Sequence, residues 1–221
     1  MGQKSILNNL WLTINLHSIF NSVQFMKKAI TLLVVFFLTL SFSKGIAQEK
    51  FKINGVTVPR TIDFENQKLQ LNGFGSRTKF WTDVYVQALY LTQLSEDAKD
   101  ILESDTNMGI RLQITSSLVS SQKLSKSLHK GMVKSIGEEN LPQIKMQLDK
   151  LEELLNREAT VENDAFNLIY SSTEKAILVY KNNKLEGKIP GFDFKKAFFG
   201  IWLSNNPVDA ELKDALLGKI K

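Results

Sequence analysis

Arg77 and Tyr85 are the residues of this chain whose types and spacing best fit a chemical task. Arg77 opens a strongly apolar run and Tyr85 follows eight positions later, an even offset that puts both side chains on one sheet face if a single regular strand joins them. A guanidinium holds a carboxylate through two parallel hydrogen bonds, and a phenol beside it donates one more. The two would then form an anion clamp at the mouth of an apolar pocket. The alternative is structural: Arg77 at a strand edge paired with Asp83 or Asp63, and Tyr85 with its hydroxyl at the rim. Spacing alone favours the structural arrangement, because most such pairs do no more than hold a fold together.

The rest of the inventory excludes much familiar chemistry. With no cysteine there is no thiol nucleophile, disulfide framework or Cys-ligated metal. Beyond residue 47 the only histidine is His129, on the polar flank of a helix between Leu128 and Lys130, where a solvated surface position is expected. One histidine builds neither a His-based triad nor a multi-histidine metal site. Glu138 with Glu139, and Glu152 with Glu153, are neighbours on helices and point in different directions, so they read as solvated faces. The GFGS segment at 73–76 is too short for a phosphate loop and lacks the Lys-Ser or Lys-Thr that would follow it. No cofactor and no metal are expected.

Charge separates the chain into two parts. Overall it carries 28 Lys and Arg against 23 Asp and Glu, a formal +5. Residues 1–47 contain Lys4, Lys27, Lys28 and Lys44 and no acid, so nearly all of the excess lies there. The remainder is close to neutral, without the clustered basic residues that displace counterions from nucleic acid, and nucleic acid is not an expected partner. Met26-Lys27-Lys28 followed by the uncharged run Ala29 to Leu40 and by Gly45 and Ala47 reads as a secretory signal peptide over 26–47, cleaved between Ala47 and Gln48. Its apolar run is too short for a retained membrane anchor. Residues 1–25 read as a misassigned upstream start, 48–221 as a single exported domain, and a bacterial periplasm as its destination.

The elements that must position Arg77 and Tyr85 follow from periodicity. Phe51 to Val58 alternates around an Asn54-Gly55 turn, Lys68 to Leu71 resumes before Asn72-Gly73, and Arg77 to Leu91 reads as one long strand with a bulge. Gly109 to Thr115 puts Ile110, Leu112 and Ile114 on one face and Arg111 and Gln113 on the other. Two amphipathic helices follow, one carrying Leu124, Leu128, Met132 and Ile136, the next Leu141, Ile144, Leu148, Leu151 and Leu155. Phe166 to Tyr170 and Ala176 to Lys184 return to strand, with Asn182-Asn183 as a hairpin turn. Asp193 is the expected cap of a helix through Leu203, and Asn206-Pro207-Val208-Asp209 supplies an N-cap, a first-position proline and a first-turn acid for a last helix ending at Gly218. The order predicts an antiparallel α+β fold.

Leu71 to Leu91 (LNGFGSRTKFWTDVYVQALYL) resembles the opening signature of the chalcone isomerase-like family, a glycine-rich turn and an Arg leading to an aliphatic-Tyr pair. Ile189 to Gly218, with its Ile-Trp-Leu run and Pro-Val-Asp helix start, is similar to that family's closing helices, and the resemblance extends from about Val56. It implies an open-faced β-sandwich, a large antiparallel sheet with helices layered on one face over an apolar cleft. It also implies two functions. In the plant enzymes the cleft cyclises a chalcone, with an Arg stabilising the phenolate oxygen; other members bind fatty acids, clamping the carboxylate with the Arg and a Tyr. Arg77 matches the family Arg, and the catalytic Thr position, counted back from Leu89-Tyr90, falls on Tyr85, the substitution of the fatty-acid-binding branch. The expected ligand is thus a fatty acid or similar amphipathic carboxylate held by Arg77 and Tyr85, and the alternative is an intramolecular lyase acting on an enone.

Overall fold

The computed structural model describes residues 27–28, 50–79 and 81–219. The chain divides into two units, Met1–Ala47 and Gln48–Lys221, and the second holds every element discussed below. The expected upstream start lies outside the described residues, as does the signal peptide apart from Lys27 and Lys28. No described helix is long and apolar enough to cross a membrane.

Seven strands form one antiparallel sheet in sequence order: β3 (Thr61–Phe64), β4 (Gln67–Lys79), β5 (Thr82–Leu91), β6 (Met108–Ile114), β7 (Ala165–Ser171), β8 (Ala176–Lys181) and β9 (Lys184–Pro190). Between β5 and β6 lies α1 (Ala98–Glu103); α2 (Ser121–Ile136) and α3 (Leu141–Asn156) follow β6, and α4 (Phe192–Leu203) and α5 (Ala210–Leu216) follow β9. This is the expected α+β architecture with helices on one face. The hairpin of β1 (Lys50–Ile53) and β2 (Val56–Pro59) covers the other, turning at Asn54 and Gly55, both at positive φ as a tight hairpin turn requires.

Strand alternation separates two cores. Toward the helices point Tyr85, Leu89 and Leu91 of β5, Ile110, Leu112 and Ile114 of β6 and Phe166, Leu168 and Tyr170 of β7. Val86, Ala88 and Tyr90 point the other way, against Val56 and Val58 of the hairpin, whose end is tied down by the Tyr90 hydroxyl donating to the Pro59 carbonyl at 2.8 Å. On the helix side, α2 buries Leu124, Leu128 and Met132, and α3 buries Ile144, Leu148, Leu151 and Leu155. Helix α4 is buried nearly all round, as its run of Phe194, Phe198, Phe199, Ile201 and Trp202 demands.

Three local expectations are corrected, and one helix is added to them. Arg77 to Leu91 is two strands: the backbone reverses at Trp81, which takes φ 66°, and Lys79 pairs with Thr82. Asp193 stands in the first turn of α4, whose cap position is Gly191 at φ 124°. The cap of α5 is Asp209, in an extended conformation with its carboxylate accepting from the Leu212 amide, and not Asn206. Helix α1 had no apolar periodicity to announce it; Asp97 starts it by accepting from the amides of Lys99 and Asp100.

The C-terminus of α1 is held by a buried lysine of α4. Lys195 is wholly buried and its Nζ donates to the carbonyls of Ile101, Leu102 and Ser104 at 3.0, 2.7 and 2.7 Å. These are the orphan acceptors of a helix end, and the ammonium satisfies them where water does not reach. Burial lowers the Lys195 pKa to about 8, against opposing pulls from Asp105 and Glu103. Between pH 8 and the ordinary lysine range the unfolded chain therefore binds a proton that the folded chain has released, so this group's contribution to stability rises with pH across that window. Chemical denaturation at pH 7 and pH 9.5 is expected to show wild type gaining stability relative to Lys195→Met as pH increases. At pH 7 the variant, which leaves the carbonyls unpaired, should be less stable by about 2 kcal/mol.

Candidate functional site

Arg77 and Tyr85 meet by a route that alternation along one strand does not describe. They stand on adjacent antiparallel strands and are direct cross-strand partners. The two-residue turn pairs Lys79 with Thr82 and Thr78 with Asp83, and an uninterrupted ladder would next set Arg77 opposite Val84. The register shifts there by one residue, leaving Val84 without a partner on β4 and bringing Tyr85 opposite Arg77. The expected bulge is present, and its effect is to choose the partner of Arg77.

Neither Asp83 nor Asp63 pairs with Arg77, which corrects the structural alternative. Asp83 accepts from Asn54 and Thr78 at 2.5 and 2.6 Å, and Asp63 faces Lys68 at 3.3 Å. The guanidinium instead donates from Nη1 to Oδ2 of Asp209 at 2.5 Å, with both side chains between a fifth and a quarter exposed. Asp209 thus performs two tasks with two oxygens: Oδ1 caps α5 through the Leu212 amide at 3.1 Å, and Oδ2 holds Arg77. The closing helix and the β4–β5 hairpin are locked by this one carboxylate.

Tyr85 is buried, and its hydroxyl accepts from Nε1 of Trp202 on α4 at 3.3 Å. Burial raises its pKa, outweighing the Trp202 N–H and the Arg77 guanidinium, which stabilise the phenolate. The phenol therefore keeps its proton at neutral pH, and that proton meets no acceptor among the described residues. Arg77, Tyr85, Trp202 and Asp209 together set a partly exposed ion pair beside a buried Tyr–Trp pair.

Helix α5 is brought this close by an absent side chain. A Cβ on Gly73 would lie 2.1 Å from the Ala215 carbonyl oxygen and 2.5 Å from that of Leu216, so only glycine lets the α5 backbone lie on β4. Asn72 fastens the contact, donating to the Leu216 carbonyl at 2.9 Å. The GFGS segment is thus the seat of a helix, with Ser76 accepting from Asn54 at 2.7 Å.

Residues set aside in the sequence lie elsewhere. His129 is about two-fifths exposed and its Nδ1 is 2.8 Å from Glu152. It borders an open groove of about 330 Å³ with Lys126, Lys130, Val133 and Glu138, none of which belongs to the Arg77 cluster. Glu153 pairs with Lys150 and Arg157. Among the described residues no three His, Asp or Glu side chains converge as metal ligands would.

Three residues of the region are not assigned to the site by the sequence. Trp202 and Asp209 lie 125 and 132 positions beyond Arg77 and only the tertiary fold brings them near. Gln87 was detectable: it is the lone amide in the apolar run Val84 to Leu91, and the structure buries it completely on β5.

The model of a family described as chalcone isomerase-like matches residues 50–218. Among solved structures, a fatty-acid binding protein from Arabidopsis thaliana is similar with a TM-score of 0.62, covering 77% of this chain and 97% of that one at 18% sequence identity, a likeness of fold. No curated protein matches by sequence.

Proposed function

Because the chain belongs to the chalcone isomerase-like family, we propose that its Arg77–Tyr85 end binds the carboxylate of a fatty acid or similar amphipathic acid, whose chain lies in the apolar layer beneath the helices. One observation carries this reading: a carboxylate, that of Asp209, already sits on Arg77 beside a neutral phenol whose proton has no acceptor among the described residues. The geometry suits a ligand carboxylate that takes over Arg77 from Asp209 and accepts from Tyr85. The fatty-acid binding function of the structurally similar Arabidopsis protein supports the same ligand class.

Tyr85 and Trp202 are closed off from solvent, so entry requires the first turn of α5 to swing away as Arg77 changes partner. Affinity then grows with chain length, at about 0.8 kcal/mol per methylene buried, while Arg77 fixes which end of the ligand faces out. Native mass spectrometry of the purified protein, followed by organic extraction, is expected to release a bound fatty acid. Protein that is recovered empty and takes up no fatty acid would sink the proposal.

We further propose that the domain works outside the cytoplasm, exported by the segment 26–47. The basic Lys27-Lys28 pair, the uncharged run after it and the small residues Gly45 and Ala47 support this. Expressed in a bacterium and fractionated, the product should appear in the periplasm with Gln48 as its first residue; an uncleaved cytoplasmic product contradicts it.

A further inference from the structure

Strand β5 carries a carboxamide where its neighbours carry hydrocarbon. Gln87 shares the helix-side face with Tyr85, Leu89 and Leu91, since Val86, Ala88 and Tyr90 face the β1–β2 hairpin. It is wholly buried, and neither its Oε1 nor its Nε2 has a hydrogen-bonding partner among the described residues. Its cross-strand neighbours, Gly75 and Leu112, have no polar side-chain atom to offer.

Several other buried polar side chains have partners, and Glu186, whose Oε1 lacks a hydrogen bond, lies 3.2 Å from the Lys184 ammonium. Lys195 reaches three carbonyls, Ser171 bonds Glu65, and Asn107 receives the amide and hydroxyl of Ser172. Arg111 has an unpaired Nε, but its other nitrogens bond Asn167 and Gln113. An amide with both ends unpaired is costly in an apolar interior, and a leucine there would avoid the cost. The residue two positions along the same face is Tyr85, the proposed contact of the ligand head.

We propose that Gln87 is a ligand contact and that the acid this site takes carries a hydroxyl on its chain. The inference rests on the fatty-acid reading above and narrows it. A carboxamide presents one acceptor and one donor group, and a hydroxyl answers both, donating to Oε1 and accepting from Nε2; a ketone answers only the second. Tyr85 and Gln87 are separated by one two-residue step of the strand, roughly 6.6 Å, so with the carboxylate at Tyr85 the hydroxyl falls on about the third to sixth carbon.

Calorimetric titration of the delipidated full-length protein with decanoate, 3-hydroxydecanoate and 5-hydroxydecanoate tests this, with Gln87→Leu and Gln87→Met alongside. Wild type should bind one of the hydroxy acids about tenfold more tightly than decanoate, the affinity equivalent of roughly 1.4 kcal/mol. Both variants should lose that preference and, without ligand, melt about 3 °C higher than wild type because an unpaired amide has gone. Wild type that binds decanoate but gains nothing from either hydroxyl overturns this inference and leaves the fatty-acid reading standing; failure to bind any of the three acids overturns both. Variants that melt lower while the preference persists would show that Gln87 has a structural role, and would also overturn it.

Discussion

Arg77→Ala is expected to lower affinity for every fatty acid by roughly 100-fold, the cost of removing a charge-assisted contact from a half-buried site. The loss should be the same for short and long chains. If Arg77 holds the carboxylate and the apolar layer holds the chain, a plot of binding free energy against chain length keeps its slope of about 0.8 kcal/mol per methylene and is only displaced. A change of slope would place Arg77 along the chain and contradict its assignment to the head. Asp209→Asn should act in the opposite direction. Asn remains a good helix cap, so α5 keeps its start, while the carboxylate that competes for Arg77 is gone. Affinity is expected to rise about tenfold, and in the double variant with Arg77→Ala the gain should vanish, because there is then no guanidinium to release. Equilibrium titration of the four proteins decides the matter. If Asp209→Asn weakens binding, Asp209 is part of the ligand's contact surface and not its rival.

Gly73→Ala is expected to destabilise the fold by about 3 kcal/mol, lowering the melting temperature by roughly 6–12 °C. The added methyl would collide with the carbonyl oxygens of Ala215 and Leu216, which are backbone atoms and cannot turn aside as a side chain can. Helix α5 would have to lift from β4 and would give up the Asn72 contact with it. Gly75→Ala supplies the control. Its methyl would stand 3.0 Å from the Ala215 and Leu212 side chains, and a small adjustment there should limit the loss to about 1 kcal/mol. Equal melting of wild type and Gly73→Ala would mean that α5 is not seated on β4, and the Arg77–Asp209 contact would lose its structural basis.

Much of the scaffold was legible because it depends on local periodicity. Of the stripe Leu124, Leu128, Met132 and Ile136, the first three are buried on α2 and Ile136 is half-buried, and Ile110, Leu112 and Ile114 point away from Arg111 and Gln113 on β6. The turns at Asn54-Gly55 and Asn182-Asn183 take positive φ, which those residues tolerate well. The structure departs from local pattern where one weak local signal competes with another. Trp81 is not a usual turn residue, so the reversal after Lys79 was hidden inside a run of strand-forming side chains. Asn206, Pro207 and Asp209 all suit a helix start, and the backbone between them is not helical until Ala210.

For the candidate site the division is sharper. Composition and pattern determined that a near-neutral domain after residue 47 would be antiparallel α+β, without cysteine or multi-histidine chemistry, and that Arg77 and Tyr85 were the side chains to watch. The tertiary structure decided what surrounds them. A one-residue register shift set Tyr85 opposite Arg77, the absence of a side chain at Gly73 let α5 come down on β4, and Asp209 thereby reached Arg77 from 132 residues away. Periodicity reports which face a residue takes on its own element, because that depends on backbone geometry over a few residues. Which carboxylate meets a given guanidinium depends on how distant elements pack, and no spacing along the chain encodes it.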